Sequence, residues 1–133
     1  MYLFDADALI DYFTDWPDAR TRFRAMLSDG VAISMVTLIE VVTGIYRSAD
    51  EAHAQREFDE VREVISVLPL DEPTALRTAR LREDLLSRGR PIRTRAYDLI
   101  VAATALEHDL VLVTANTRDY ADIPGLTLLN PRT

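Results

Sequence analysis

Asp5, Glu40, Asp98, Asn116 and Asp119 each stand at or just past an apolar run. Asp5 follows MYLF, Glu40 falls about a helical turn after VAIS, Asp98 opens LIVAATAL, and Asn116 and Asp119 follow LVLVTA. If each run is a strand, or the helix after one, the chain delivers several carboxylates to one edge of a parallel sheet. Carboxylates gathered there repel one another, raise one another's pKa values and destabilise the fold unless a cation joins them. Hard oxygen ligands without His or Cys select Mg2+ or Mn2+ over zinc. One or two such ions polarise a phosphodiester and lower the pKa of a bound water so that it attacks phosphorus, which makes phosphodiester hydrolysis the natural reaction.

Composition closes other routes. All 15 basic residues are Arg, so there is no Schiff-base nucleophile and no phosphate-loop lysine. The absence of Cys removes thiol nucleophiles, disulfides and thiolate zinc sites. The two histidines have no partner at a recognisable spacing: His53 lies in the charged stretch DEAHAQREFDE, and His108 ends an apolar helix-like run, where imidazole suits a helix C-terminus. The net charge of −7 argues against a nucleic-acid binder on its face. Metal-bound acids are partly neutralised, however, and local basic patches still steer a polyanion. Arg88, Arg90, Arg93 and Arg95 form such a patch before Asp98 and are the candidates for holding a polyanion backbone. Arg20, Arg22 and Arg24, at helical spacing, read as a solvated face.

The elements that must position these groups alternate along the chain. Its 133 residues, 48% apolar, fit one domain spanning 1–133 with a substantial core. No apolar stretch reaches membrane-spanning length, and no basic segment leads a long apolar one at the N-terminus, so a cytoplasmic protein is expected. Strands are expected at 2–4, 31–33, 66–70, 110–114 and 126–129. Helices are expected from Ala8 after an Asp7 cap, from Pro17 to the Asp29-Gly30 turn, after a Ser34 cap, from about Asp50 to Ser66, from Asp71 to Gly89, and from Asp98 to His108. The last is rich in small residues, Ala102 to Ala105, which permits close packing on a sheet. Alternating strands and helices with hardly any hairpin signal predict a three-layer α/β/α domain with a mainly parallel sheet. Ligands of such sheets bind beyond the carboxyl ends of the strands.

Each acid also has a plain structural reading. Asp5 and Asp7 suit the cap of the first helix, Asp98 suits the cap of its own, and Asp119 suits the turn into Tyr120. Asp11, Asp15 and Asp18 read as solvated helix face and loop. Glu40, amid Leu38, Ile39, Val41 and Val42, is expected to need a partner. Thr114 is a candidate for orienting a water or phosphate through its hydroxyl, although a small polar residue often ends a strand.

The segments MYLFDADALIDYF, ISMVTLIEVVTG, YDLIVAATALEHDLVLVTANTRDY and IPGLTLLNP together resemble a PIN-domain protein of the VapC toxin type, over nearly the whole length. The resemblance implies an endoribonuclease dependent on Mg2+ or Mn2+, acting as the toxin of a type II toxin–antitoxin pair. RNA is then the substrate, a VapB-type antitoxin the inhibiting partner, and a homodimer the favoured assembly. By motif position Asp5, Glu40 and Asp98 match the family's main acidic ligands, and Asn116 and Asp119 fall where the fourth arises. The chain departs from the pattern at Asp7, often Asn or Ser, and at Asn116, often Asp. Either Asn116 ligates through its amide oxygen or a water, or Asp119 substitutes. The antitoxin is expected to lay a helix or tail into a groove near the acids, with the helices between Pro17 and Ser66 as its walls. The competing readings are a non-catalytic RNA- or protein-binding module on a nuclease fold, and a housekeeping RNA-processing nuclease.

Overall fold

The computed structural model describes residues 1–133. The apolar runs form five short strands, β1 (Tyr2–Phe4), β2 (Val31–Ser34), β3 (Ser66–Leu68), β4 (Val111–Val113) and β5 (Leu128–Leu129). They lie in the order β3-β2-β1-β4-β5, every neighbour parallel. Between them run α1 (Ala6–Phe13), α2 (Ala19–Leu27), α3 (Met35–Tyr46), α4 (Glu51–Arg62), α5 (Glu72–Ser87) and α6 (Ala96–Glu107), and a 3-10 turn spans Thr117–Tyr120.

Strand alternation divides the core between the two faces of the sheet. Leu3, Ala32 and Leu112 point to one face, where they meet Leu81 and Leu85 of α5 and Leu99, Ala102, Ala103 and Ala105 of α6. Phe4, Ile33 and Val113 point to the other, against Leu9 of α1, Phe23 of α2, Val41 and Ile45 of α3 and Phe58 and Val61 of α4. The small side chains of α6 are wholly buried, as their size permits. Leu3 and Leu112 are fully enclosed, so truncating either to Ala is expected to cost about 2–5 kcal/mol.

The central position of β1 matters most for the site. Phe4 is in register with Ile33 on one side and Val113 on the other, so the next residues, Asp5, Ser34 and Thr114, follow at the carboxyl edge. Asp5 and Ser34 each end a strand and cap the helix after it, Asp5 accepting from the Ala8 N–H at 2.9 Å and Ser34 from the Thr37 N–H at 3.2 Å. Asp71 caps α5 in the same way, with Pro73 in the first turn. At the far end of α5, Gly89 takes φ +71° and the Arg90 N–H bonds back to the Leu85 carbonyl at 2.8 Å, the left-handed closure that favours glycine.

Several boundaries differ from the sequence expectation. α1 begins at Ala6, so Asp5 is its cap and Asp7 lies in its first turn. α2 begins at Ala19 because Asp18, at φ +64°, is left-handed and cannot continue a helix back to Pro17. α6 begins at Ala96 behind an Arg95 that makes no side-chain cap, which removes the capping role from Asp98 and leaves it in the first turn. α4 stops at Arg62, and the last two apolar runs pair over only three and two residues. No helix is long and apolar enough to cross a membrane.

Candidate metal centre

Asp5 is built into the junction of β1 and α1 and is 6% exposed. Its Oδ1 accepts the Ala8 N–H, and its Oδ2 accepts the hydroxyl of Thr114, which ends β4 on the neighbouring strand. The Thr114 hydroxyl in turn accepts the Asn116 N–H at 3.0 Å. Two neutral donors therefore fix the carboxylate without compensating its charge. Burial raises its pKa from 3.8 to about 6, against the lowering by Thr114 and Ala8, and Asp7 and Asp98 add to the rise.

Asp98 stands half-buried in the first turn of α6, and the Tyr120 hydroxyl donates to its Oδ1 at 3.3 Å. Burial raises the Asp98 pKa, Tyr120 lowers it, and Asp119 raises it again. Tyr120 is itself buried, and that burial together with the Asp98, Asp5 and Glu40 carboxylates holds its phenol firmly protonated. The 3-10 turn thus works as a strut that brings a proton donor under Asp98. Glu40 lies one turn after Thr37 on α3. It is exposed, not embedded among its apolar neighbours, and no protein cation pairs with it. Partial desolvation raises its pKa first, and Asp7 and Asp98 push the same way.

Asn116 and Asp7, both exposed, meet across the cleft: the Asn116 amide donates to the Asp7 carboxylate, which leaves the amide oxygen of Asn116 unengaged. Asp119 is exposed, and its backbone carbonyl rather than its carboxylate receives Arg95, at 3.0 Å. Asp5, Asp7, Glu40, Asp98, Asn116 and Asp119 all line one cavity of about 50 Å3 at the carboxyl edge of the sheet. Acids from four separate stretches of chain have converged.

The donor set fits a hard, hydrated ion. No three acidic or imidazole side chains stand in direct coordinating geometry around one point, so an ion here would be held directly by at most two of them, with water completing its shell, a mode Mg2+ accepts. The cavity has room for an ion with a few waters. The raised carboxylate pKa values, at Asp5, Glu40 and Asp98, all fall at this site, where Arg95 draws on Asp98 through space but forms no ion pair with it.

The arginine patch is mostly engaged elsewhere. Arg95 clamps Asp122 through both terminal nitrogens at 2.8 Å, Arg90 approaches Asp122 at 3.7 Å, and Arg88 pairs with Asp84 at 2.8 Å and the Asp122 carbonyl at 3.1 Å. Only Arg93 of the four is unpaired. Sequence reasoning also missed Asp11, which is no solvated helix face: it is 6% exposed and takes Arg132 on both oxygens at 2.9 and 2.7 Å, with the guanidinium 3.8 Å from the Trp16 ring centroid. Tyr120 and Thr37 were missed as members of the site. Thr37 was within reach, since a residue three before Glu40 shares its helical face; Tyr120 carried no local signal. His53 is exposed and pairs with Glu57 at 2.7 Å, and His108 is the C-cap of α6.

A larger hollow of about 820 Å3 lies away from the acids, between α1, α3 and α4, with Ile10, Phe13, Val41, Ile45 and Phe58 in its wall. Its walls include α1, which the sequence reading had left out, while α2 supplies only Arg20.

Residues 2–126 match the family model of the PIN domain. A "tRNA(fMet)-specific endonuclease VapC" of Shigella flexneri is 32% identical over 109 residues, 81% of each chain. "Ribonuclease VapC5" of Mycobacterium tuberculosis is 36% identical over 104 residues, 76% of this chain and 74% of its own. Among solved structures, a DNA-bound VapBC from Salmonella typhimurium superposes with a TM-score of 0.85 at 28% identity, covering 96% of both chains.

Proposed function

The chain belongs to the PIN-domain family, in its VapC group, and from that premise we propose that it is a Mg2+- or Mn2+-dependent endoribonuclease acting as the toxin of a type II toxin–antitoxin pair. The observation that carries the reading is the convergence of Asp5, Glu40 and Asp98, with Asn116 and Asp119, on one cavity with no protein cation among them. The ribonuclease and VapC names of the relatives support it.

When bound, the cation supplies charge that polarises a phosphodiester and acidifies a water. The chain's residues do the rest. Asp5, held on both oxygens by the Ala8 N–H and Thr114, would be the fixed ligand. Asp98, oriented by Tyr120, and Glu40 would hold the ion directly or through its waters. The amide oxygen of Asn116 is the neutral candidate for the fourth place and the Asp119 carboxylate the charged one. Arg93 is the member of the arginine patch with a guanidinium to offer to RNA, while Arg95 fixes the loop through Asp122.

The hollow between α1, α3 and α4, with an apolar floor of Ile10, Phe13, Val41, Ile45 and Phe58 and charged residues such as Asp15, Arg56 and Glu60 beside it, suits an amphipathic helix or tail of a VapB-type antitoxin. Gly44 lines it, and a Cβ there meets no atom within 4 Å, so Gly44→Gln is expected to block antitoxin binding without strain. The protein is expected to work as a cytoplasmic homodimer, which light scattering of the purified toxin checks.

The deciding experiment is cleavage of structured RNA by purified protein. Cutting with Mn2+, its arrest by EDTA and its loss in Asp98→Asn are the expected results. Full activity in Asp98→Asn would reject the site, and RNA binding without cutting would favour a non-catalytic module. Growth arrest on expression, relieved by a small adjacent gene, separates a toxin from a housekeeping nuclease.

A further inference from the structure

A second concavity, about 460 Å3, adjoins the acidic cavity and is lined by Thr94, Arg95, Asp98, Arg118, Asp119 and Asp122, with no apolar wall. Asp98 and Asp119 belong to both spaces, so whatever occupies the cleft runs up to the acids. Its charges are unequally matched. Asp122 is neutralised by Arg95, whose two terminal nitrogens are further occupied by the carbonyls of Asp119 at 3.0 Å and Pro91 at 3.4 Å. The chain's ion pairs engage Arg20, His53, Arg77, Arg88, Arg90, Arg95 and Arg132, but not Arg118. Arg118 is exposed, and although it neighbours Asp119 on the 3-10 turn the two have not closed on each other. The exposed Thr94 lines the same cleft.

We propose that this cleft is a second phosphate subsite, in which Arg118 and Thr94 hold the backbone phosphate neighbouring the one at the acidic cavity. The inference rests on the nuclease reading and deepens it. A guanidinium offers a planar fork of donors that matches two phosphate oxygens at once, and Thr94 adds a hydroxyl donor. The channel is wholly polar and gives no purchase to an apolar ligand; Arg118 is its one uncommitted cation, beside the Asp98 and Asp119 carboxylates that the cleft shares with the acidic cavity. Because the turn carrying Arg118 also carries Asp119 and the strut Tyr120, the grip on one phosphate is rigidly spaced from the acids that act on the next. Arg118 is therefore a substrate-binding residue that sets register, in a chain whose overall charge repels its substrate.

The test is fluorescence anisotropy with a short labelled single-stranded RNA of mixed sequence, in EDTA and in an Asp98→Asn background, so that affinity is read without cutting. Adding Arg118→Ala is expected to weaken binding on the order of tenfold and to reduce the slope of log K against log salt by about one. Arg118→Lys should restore part of the loss, because it keeps the charge without the fork. Arg62→Ala, at the C-terminal end of α4 and so at the opposite edge of the sheet, is the control and should change neither quantity. A DNA of the same sequence should show the same Arg118 dependence, since a phosphate contact does not read the sugar. An unchanged affinity in Arg118→Ala, an equal loss in Arg62→Ala, a dependence confined to RNA, or no binding by the parent protein would each overturn the subsite. Failure of the wild type to cut RNA, with Arg118-dependent binding intact, would instead refute the nuclease reading and leave the cleft standing.

Discussion

Asp5 and Asp11 lie six positions apart, one capping α1 and the other within it, and both are 6% exposed. Their surroundings are opposite. Asp11 has a guanidinium on both oxygens, and Arg132 is covered in turn by Trp16. Asp5 receives only a backbone N–H and a hydroxyl, with further carboxylates beyond them, and its pKa rises to about 6. The same chain that brings Arg132 across from its last residues to neutralise one buried acid leaves another uncompensated. An uncompensated buried carboxylate costs stability, and a fold tolerates it where an outside cation completes the charge.

The largest expected effect on this contrast is functional. Asp98→Asn or Asp5→Asn should reduce RNA cleavage by about 10^3-fold or more, the scale of losing one electrostatic partner of a transition state, whereas Asp11→Asn should leave kcat within a few-fold in protein that remains folded. Stability should move the other way at Asp5. Its folded pKa lies above the unfolded one, so the penalty is absent below about pH 4, grows between pH 4 and 6, and is full above about 6. Asp5→Asn, which keeps a capping oxygen, should therefore raise metal-free stability at pH 7 by up to roughly 3 kcal/mol, and the gain should vanish toward pH 4 in denaturant titrations. A gain independent of pH would show that charge is not its source.

Mn2+ at a hundred times its dissociation constant should stabilise the wild type by about 2.7 kcal/mol at pH 7. The effect should shrink at pH 5, where Asp5 is protonated, and in Asp98→Asn; calorimetry reads it directly. At the paired acid, Arg132→Ala should destabilise by about 2 kcal/mol, a fall in Tm of roughly 8 °C, with no dependence on Mn2+. Tyr120→Phe should do least, about 1 kcal/mol in stability with a few-fold loss of activity as Asp98 loses its only protein donor.

The parallel α/β arrangement was legible because MYLF, VAI and LVLV are short, mainly apolar runs of the kind a sheet covered on both faces requires. Ser34 and Asp71 were legible as caps because a polar residue stands directly before each helical pattern. The start of α6 was not, since Arg95 caps nothing and Asp98 is a better capping type than any residue before it. Asp5, Glu40, Asp98, Asn116 and Asp119 could be named as a set from their places after apolar runs. Tyr120 could not, because its hydroxyl reaches Asp98 through a fold that no spacing encodes. Pairings such as Asp11 with Arg132 and Asp122 with Arg95 join positions far apart in sequence, which is why a surface role was read for Asp11 and a nucleic-acid role for Arg95.

The strand at the middle of the sheet comes first of the five in chain order, and its neighbour on one side, β4, comes fourth. The stretch through α3 carries Asp5 and Glu40 but neither the Thr114 hydroxyl that fixes Asp5 nor Asp98 with its Tyr120 donor. The acidic pocket therefore cannot assemble until the segment carrying Asp98, Thr114 and Tyr120 has packed beside the central strand, which makes it a feature of the whole fold and of no local element.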